Sequence, residues 1–214
     1  MSKQNPIREP QQARSQKTMN QILDTAAAIL EQKTFDQLTV SEVVHQAGTS
    51  VGAFYGRFRN KQALLQALDE RFFQRFEQDF EELQLELDWD NQTITTIIHD
   101  TAKFLVEVYR RDTGVLRSLN LKARLSDDSQ FKAREKNAWD TMYPQLQRRL
   151  LQHAACITHQ DPDLAVRFGF RQMFFSIREF LLWGSLRENF RYDLETLSNE
   201  SARAFISYLG VEEQ

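Results

Sequence analysis

The chain has 214 residues and a net charge of −3, which suits one large domain or a small domain joined to a larger one. Only seven glycines and four prolines punctuate it, while Gln, Leu, Ala, Glu and Arg abound; few turn formers among many helix formers argue for an all-α protein. No apolar run nears the ~18 residues of a membrane span, no basic start leads into an apolar stretch, and the single cysteine, Cys156, excludes an internal disulfide, so a cytoplasmic protein is expected.

Residues 1–13, with two prolines and little apolar material, read as a disordered arm. A first helix is expected over about Ser15–Gln32, with Met19, Ile22, Leu23, Ala26, Ala27 and Leu30 on one face. The run LTVSEVVHQAG follows. Thr39 and Glu42 make a capping box, in which the hydroxyl accepts a backbone N–H and the carboxylate reaches back to the residue-39 amide. Val40, Val43, Val44 and Ala47 form the apolar face, and Gly48 stands where a left-handed cap is wanted. Thr49 or Ser50 then caps a short helix through about Phe58. Its sequence, VGAFYGRF, is ambiguous, because propensity alone favours a strand; the setting favours a helix. Asn60 caps a long helix to about Phe80 with Leu64, Leu65, Leu68, Phe72 and Phe76 as its buried stripe.

Residues 82–92 read as a connection. A helix over about Thr93–Arg111 carries Ile94, Ile97, Ile98, Leu105 and Val108 inward, and 113–125 form a shorter one. SDDS at 126–129 caps a helix bearing Phe131, Trp139, Met142 and Tyr143, with a kink expected at Pro144. Asp161-Pro162 is a helix start, with Asp as cap and Pro at the first helical position. The helix it opens, to about Arg187, is apolar on more than one face. Asp193 caps the last helix and Gly210 ends it. The domain organisation expected is an arm over 1–13, a DNA-binding unit over 14–60, a connecting helix over 61–81 and a helical body over 82–214.

Two helices around the Gly48 corner form a unit able to place the second helix in the major groove. Thr49, Ser50, Val51, Gly52 and Ala53 at the front of that helix are small enough to let it seat deeply, and Tyr55, Arg57, Arg59 and Lys61 supply a polar and cationic flank. The charge distribution is compatible: residues 1–61 hold eight Lys/Arg against five Asp/Glu, and residues 62–214 hold nineteen against twenty-five, a basic head on an acidic body.

The run from Phe35 to Leu65 resembles the signature of the TetR family of regulators. Phe35, Thr39, Val40, Ala47, Gly48, Ser50, Gly52, Phe54, Tyr55, Phe58, Lys61 and Leu64 fall in its register, while Thr34, Val51, Gly56 and Arg57 depart from its usual residues. The resemblance covers about residues 18–66. It implies a three-helix helix-turn-helix head on a helical ligand-binding and dimerisation body. It also implies that Thr39, Tyr55, Lys61 and, more weakly, Arg57 contact phosphates, and that Ser50, Val51, Gly52 and Ala53 face bases. Val51 can offer only an apolar contact, for instance to a thymine methyl. Thr39 has a second reading as a helix cap, and both roles are compatible. Phe54 and Phe58 read as core.

For the body, the resemblance implies a homodimer through its last two helices, reading a palindromic double-stranded operator, and a small-molecule effector. The candidate lining is Phe104, Tyr109, Leu116, Trp139, Tyr143, Phe170, Phe174 and Arg178, each of which has an ordinary core or surface reading beside this one. Arg178 has three readings: across a dimer interface first, then a ligand anion, then solvent. His153, Cys156 and His159 lie three apart but lack nearby carboxylates and read as a helix end, not a metal site. No Gly-rich phosphate loop, catalytic pair or nucleophile stands out, so no enzyme, no cofactor and no membrane partner is expected. A ligand-responsive repressor is the leading expectation. An activator or ligand-independent regulator is a second, and an all-α enzyme or binding protein a remote third.

Overall fold

A computed structural model describes residues 11–86, 91–125, 129–184 and 192–211, and every regular element among them is helical. The helices are α1 (Gln11–Gln32), α2 (Val40–Gln46), α3 (Val51–Tyr55), α4 (Lys61–Glu86), α5 (Ile94–Arg111), α6 (Thr113–Leu125), α7 (Ser129–Gln152), α8 (Pro162–Trp183) and α9 (Leu194–Leu209), with one 3₁₀ turn at Ala154–Cys156. The described chain divides between Glu70 and Arg71 into two compact units.

Most boundaries follow local chemistry. Side-chain oxygens of Thr39, Ser50, Thr93, Asp161 and Asp193 each accept a backbone N–H three residues on, each cap contributing about 1 kcal/mol. At Asp193 the Thr196 backbone N–H and hydroxyl hold the carboxyl below its usual range. Gly48 and Gly210 have φ of 60° and 68°, the left-handed turn that only glycine adopts cheaply. The first arm residues lie outside the described part, but α1 already begins at Gln11, earlier than expected, because QQARSQ contains nothing that breaks a helix. The connecting helix likewise runs to Glu86, since ELQLE is made of helix formers. The caps expected in 126–128 and the end of α8 beyond Gly184 lie outside the described residues.

Two expectations are corrected. Glu42 does not close the capping box: its carboxylate pairs with Lys33 at 2.5 Å, a full charge being a better partner than one amide. The second helix of the motif stops at Tyr55, with Gly56 as its cap, where an end near Phe58 was expected; two glycines in five positions weaken its propagation. In the N-terminal unit Ile22, Leu30, Leu38, Val43, Phe54, Phe58, Leu64 and Leu65 are all but sealed from water. In the second unit α5 packs against α8 and α9, and α8 also meets α6, α7 and α9. This central place explains why α8 is apolar on several faces.

Candidate functional site

The N-terminal unit turns on the corner at Gly48. Thr49 N–H donates to Val44 O across it at 2.9 Å, closing α2 and aiming the chain into α3. Phe54, 0% exposed, anchors α3 from beneath, and Phe58 packs its ring 5.2 Å away. The opposite side of α3 is open. Ser50, Gly52 and Val51 are exposed, Val51 to 49%, and Ala53 is half-buried. Tyr55 is 55% exposed with its ring edge-on to Phe54, so it is not core and its hydroxyl faces water. Thr39, also exposed, uses one lone pair as the α2 cap at 3.2 Å and keeps its O–H for another partner.

Two cations of this set turn inward. Lys61 Nζ donates to the carbonyls of Phe35, Asp36 and Leu38 at 2.9, 3.2 and 3.0 Å and lies 4.7 Å from the Phe35 ring centroid. An ammonium has three donors, and all three hold the turn that leads into Thr39. Arg57 donates to Ala53 O at 2.8 Å and to Ser15 O at 3.2 Å, with Ser15 Oγ at 3.3 Å, tying the end of α3 to α1. Thr39, Ser50, Val51, Gly52 and Tyr55 are therefore open to water, while Arg57 is tied to α1 and Lys61 to the turn before α2.

Residues 22–68 match the model of the bacterial regulatory proteins, tetR family. The chain carries a tetR-family head. No curated protein matches the chain. Among solved structures it is similar to the fatty acid degradation regulator FadR from Bacillus halodurans, at 15% identity and a TM-score of 0.66 over 99% of this chain and 100% of that one. It is also similar to FadR from Bacillus subtilis in complex with stearoyl-CoA, at 21% identity and a TM-score of 0.58 over 88% and 97%. A third likeness is a transcriptional regulator from Aquifex aeolicus VF5, at 18% identity and a TM-score of 0.59 over 87% and 96%. The fold is that of tetR-family transcriptional regulators, with a helix-turn-helix in the N-terminal unit and a helical second unit. Among the described residues no helix is long and apolar enough to cross a membrane.

The eight candidate lining residues of the body do not form one site. Trp139, Tyr143, Phe170, Phe174 and Arg178 line a cleft of about 910 Å³ between α7 and α8. Tyr109 and Leu116, with Trp139 again, line a small void of about 10 Å³ beneath it, closed by Phe72, Phe73 and Phe76 of α4. Phe104 lines a separate surface depression between α4 and α5. The cleft floor is a stack of rings, with Trp139 4.2 Å from Phe174 and Tyr143 5.2 Å from Phe170 between centroids. The Tyr143 hydroxyl is shut off from water and has no hydrogen-bond partner among the described residues; burial, with Asp163 adding and Arg167 opposing, pushes it up to about 12.

Arg178 points inward. It donates to Asn120 Oδ1 at 2.8 Å and to Glu135 Oε1 at 3.3 Å, and its guanidinium lies 5.9 and 5.6 Å from the Phe174 and Phe175 rings. Burial raises the Glu135 carboxyl above the usual carboxylate range and Arg178 draws it back. Burial also pushes the Tyr109 hydroxyl well up. Sequence reasoning missed Glu135 and Asn120. Both carried a signal: Glu135 falls on the Phe131–Trp139 stripe and Asn120 four residues after Leu116, polar groups on apolar faces that demand a buried partner. His159, by contrast, bonds the Asp161 backbone and packs against Tyr208.

Proposed function

We propose that the chain is a ligand-responsive repressor that binds a palindromic operator as a homodimer, with α1–α3 as the reading head, α4 as the connecting helix and α5–α9 as the effector and dimerisation body. The observation that carries the reading is the open front of α3: a capped helix end of small residues, exposed above a sealed Phe54 anchor. Such an end can enter the major groove with Ser50, Val51, Gly52 and Ala53 at base edges, while the Thr39 and Tyr55 hydroxyls reach phosphates. Lys61 and Arg57 support this surface from within. Dimerisation is supported by the groove of about 690 Å³ along α8 and α9, where Phe168 and Tyr208 are 45% and 38% exposed; burying such a patch in a two-fold contact is the ordinary way to cover it. A two-fold pair of heads reads half-sites about one DNA turn apart.

The α7/α8 cleft suits a small-molecule effector. An effector that prefers one of two head spacings shifts the population, and that differential affinity is the switch. A cytoplasmic setting and the absence of catalysis belong to the same reading. Anisotropy with the upstream region of its own gene, against a scrambled duplex, tests it. Specific binding should tighten as salt falls, with a slope of about one for each phosphate contact. An affinity independent of salt and sequence would sink the reading, and a reporter in a deletion strain separates repression from activation.

A further inference from the structure

The cleft between α7 and α8 has two chemistries. Its floor is aromatic, and its rim is cationic: among the lining residues five Lys/Arg stand against two Asp/Glu. One carboxylate, Asp140, is already engaged by Lys136; the other, Glu135, is the one on Arg178. On the α8 side Arg167 is paired with Asp163 at 3.0 Å, and Arg171, four residues on, lies 5.4 Å from the Phe175 ring centroid. From Leu164 to Arg178, both in the lining, α8 extends about 21 Å along its axis, the reach of a long alkyl chain.

At the inner end Arg178 is held loosely by charge. Its side chain is 14% exposed and that of Glu135 27%. One hydrogen bond of 3.3 Å joins them, where a carboxylate well placed on a guanidinium makes two shorter ones. Of the five guanidinium donors, three make no bond to the described residues.

We propose that this cleft binds an anionic amphiphile, its carboxylate or equivalent anion displacing Glu135 from Arg178 and its alkyl chain lying on the Trp139, Phe170 and Phe174 rings. This rests on the effector-cleft reading above and names the ligand class. Glu135 is then a built-in occupant of the anion site. It keeps Arg178 neutralised while the cleft is empty and sets the affinity a ligand must exceed. A cation meets the basic rim, and a neutral chain leaves the Glu135 pair intact, so both are selected against. Burial already makes the charged form of Glu135 costly, so releasing it toward cleft water is favourable once another anion holds Arg178.

The test is calorimetry on the full chain with three probes of one chain length: decanoate, methyl decanoate and decyltrimethylammonium. Decanoate should bind at least tenfold more tightly than the other two. E135Q should strengthen decanoate several-fold and leave the ester unchanged. R178M should abolish the difference between acid and ester, and R178K, which keeps the charge but not the planar fork, should retain part of it. Equal affinity for acid and ester, no binding of any probe, or an E135Q chain that binds decanoate no better overturns the proposal. DNA affinity measured beside it separates the two claims. Decanoate selectivity that vanishes in R178M without any change in operator binding leaves the anion site standing and removes the repressor. An operator response that ignores Arg178 and Glu135 does the reverse.

Discussion

Lys61 sits in the first turn of α4, where the helix dipole disfavours a cation. The three carbonyls it meets offset that and make the residue a brace for the loop before Thr39. K61M should therefore lower the stability of the head by about 1.5–3 kcal/mol, the range for hydrogen bonds to a charged group, read as a fall in melting temperature. The salt dependence of DNA binding should keep its slope. A slope smaller by one unit would mean that Lys61 leaves the loop and contacts a phosphate in the complex. Gly48 is a second residue with one task. A Cβ there would meet nothing within 4 Å, so the cost of G48A is confined to the left-handed backbone, ~1–2 kcal/mol. A denaturation midpoint unchanged in G48A would contradict that.

Among the elements, α3 is too short to stand alone. Five residues cannot repay helix nucleation, and Phe54 packing, the Ser50 cap and the Arg57 tie to α1 hold it. The propensity of VGAFYGRF left helix and strand open, and long-range packing chose. The α8–α9 pair carries a different constraint. A Cβ on Gly169 would come within 2.2 Å of the Phe205 ring, which is buried. Alanine is the better helix former by ~1 kcal/mol, yet G169A should destabilise the body, by roughly 1–3 kcal/mol for an overpacked core. Urea unfolding gives the sign directly, and a more stable G169A would show that α8 and α9 are free to part. A lone glycine inside an apolar helix was the available signal for this close approach.

For the whole molecule, the proposed pairing makes operator affinity depend on the α8/α9 face. Ala204 is exposed and lines that groove without lining the α7/α8 cleft. A204R should leave the helical content intact and shift the chain to monomer in sedimentation, with operator affinity falling by more than tenfold because two heads no longer bind as one. A dimer that persists with A204R would place the contact elsewhere. The effector residues show how far a pattern reaches at this scale. The aromatic stripes of α7 and α8 identified Trp139, Tyr143, Phe170 and Phe174 as neighbours, since periodicity reports which residues share a face. Phe104, on an equally regular stripe, belongs to a different surface, since periodicity does not say which two faces meet.

The order of the helices, the caps at Thr39, Thr93, Asp161 and Asp193 and the corners at Gly48 and Gly210 were determined by residues a few positions apart, because backbone hydrogen bonds and φ preferences are local. The partners of Lys61, Arg57 and Arg178 were decided only by tertiary structure, at separations of 26, 42 and 58 residues for Phe35, Ser15 and Asn120. Long cationic side chains can reach many acceptors, and packing alone brings a particular carbonyl or carboxylate within their range.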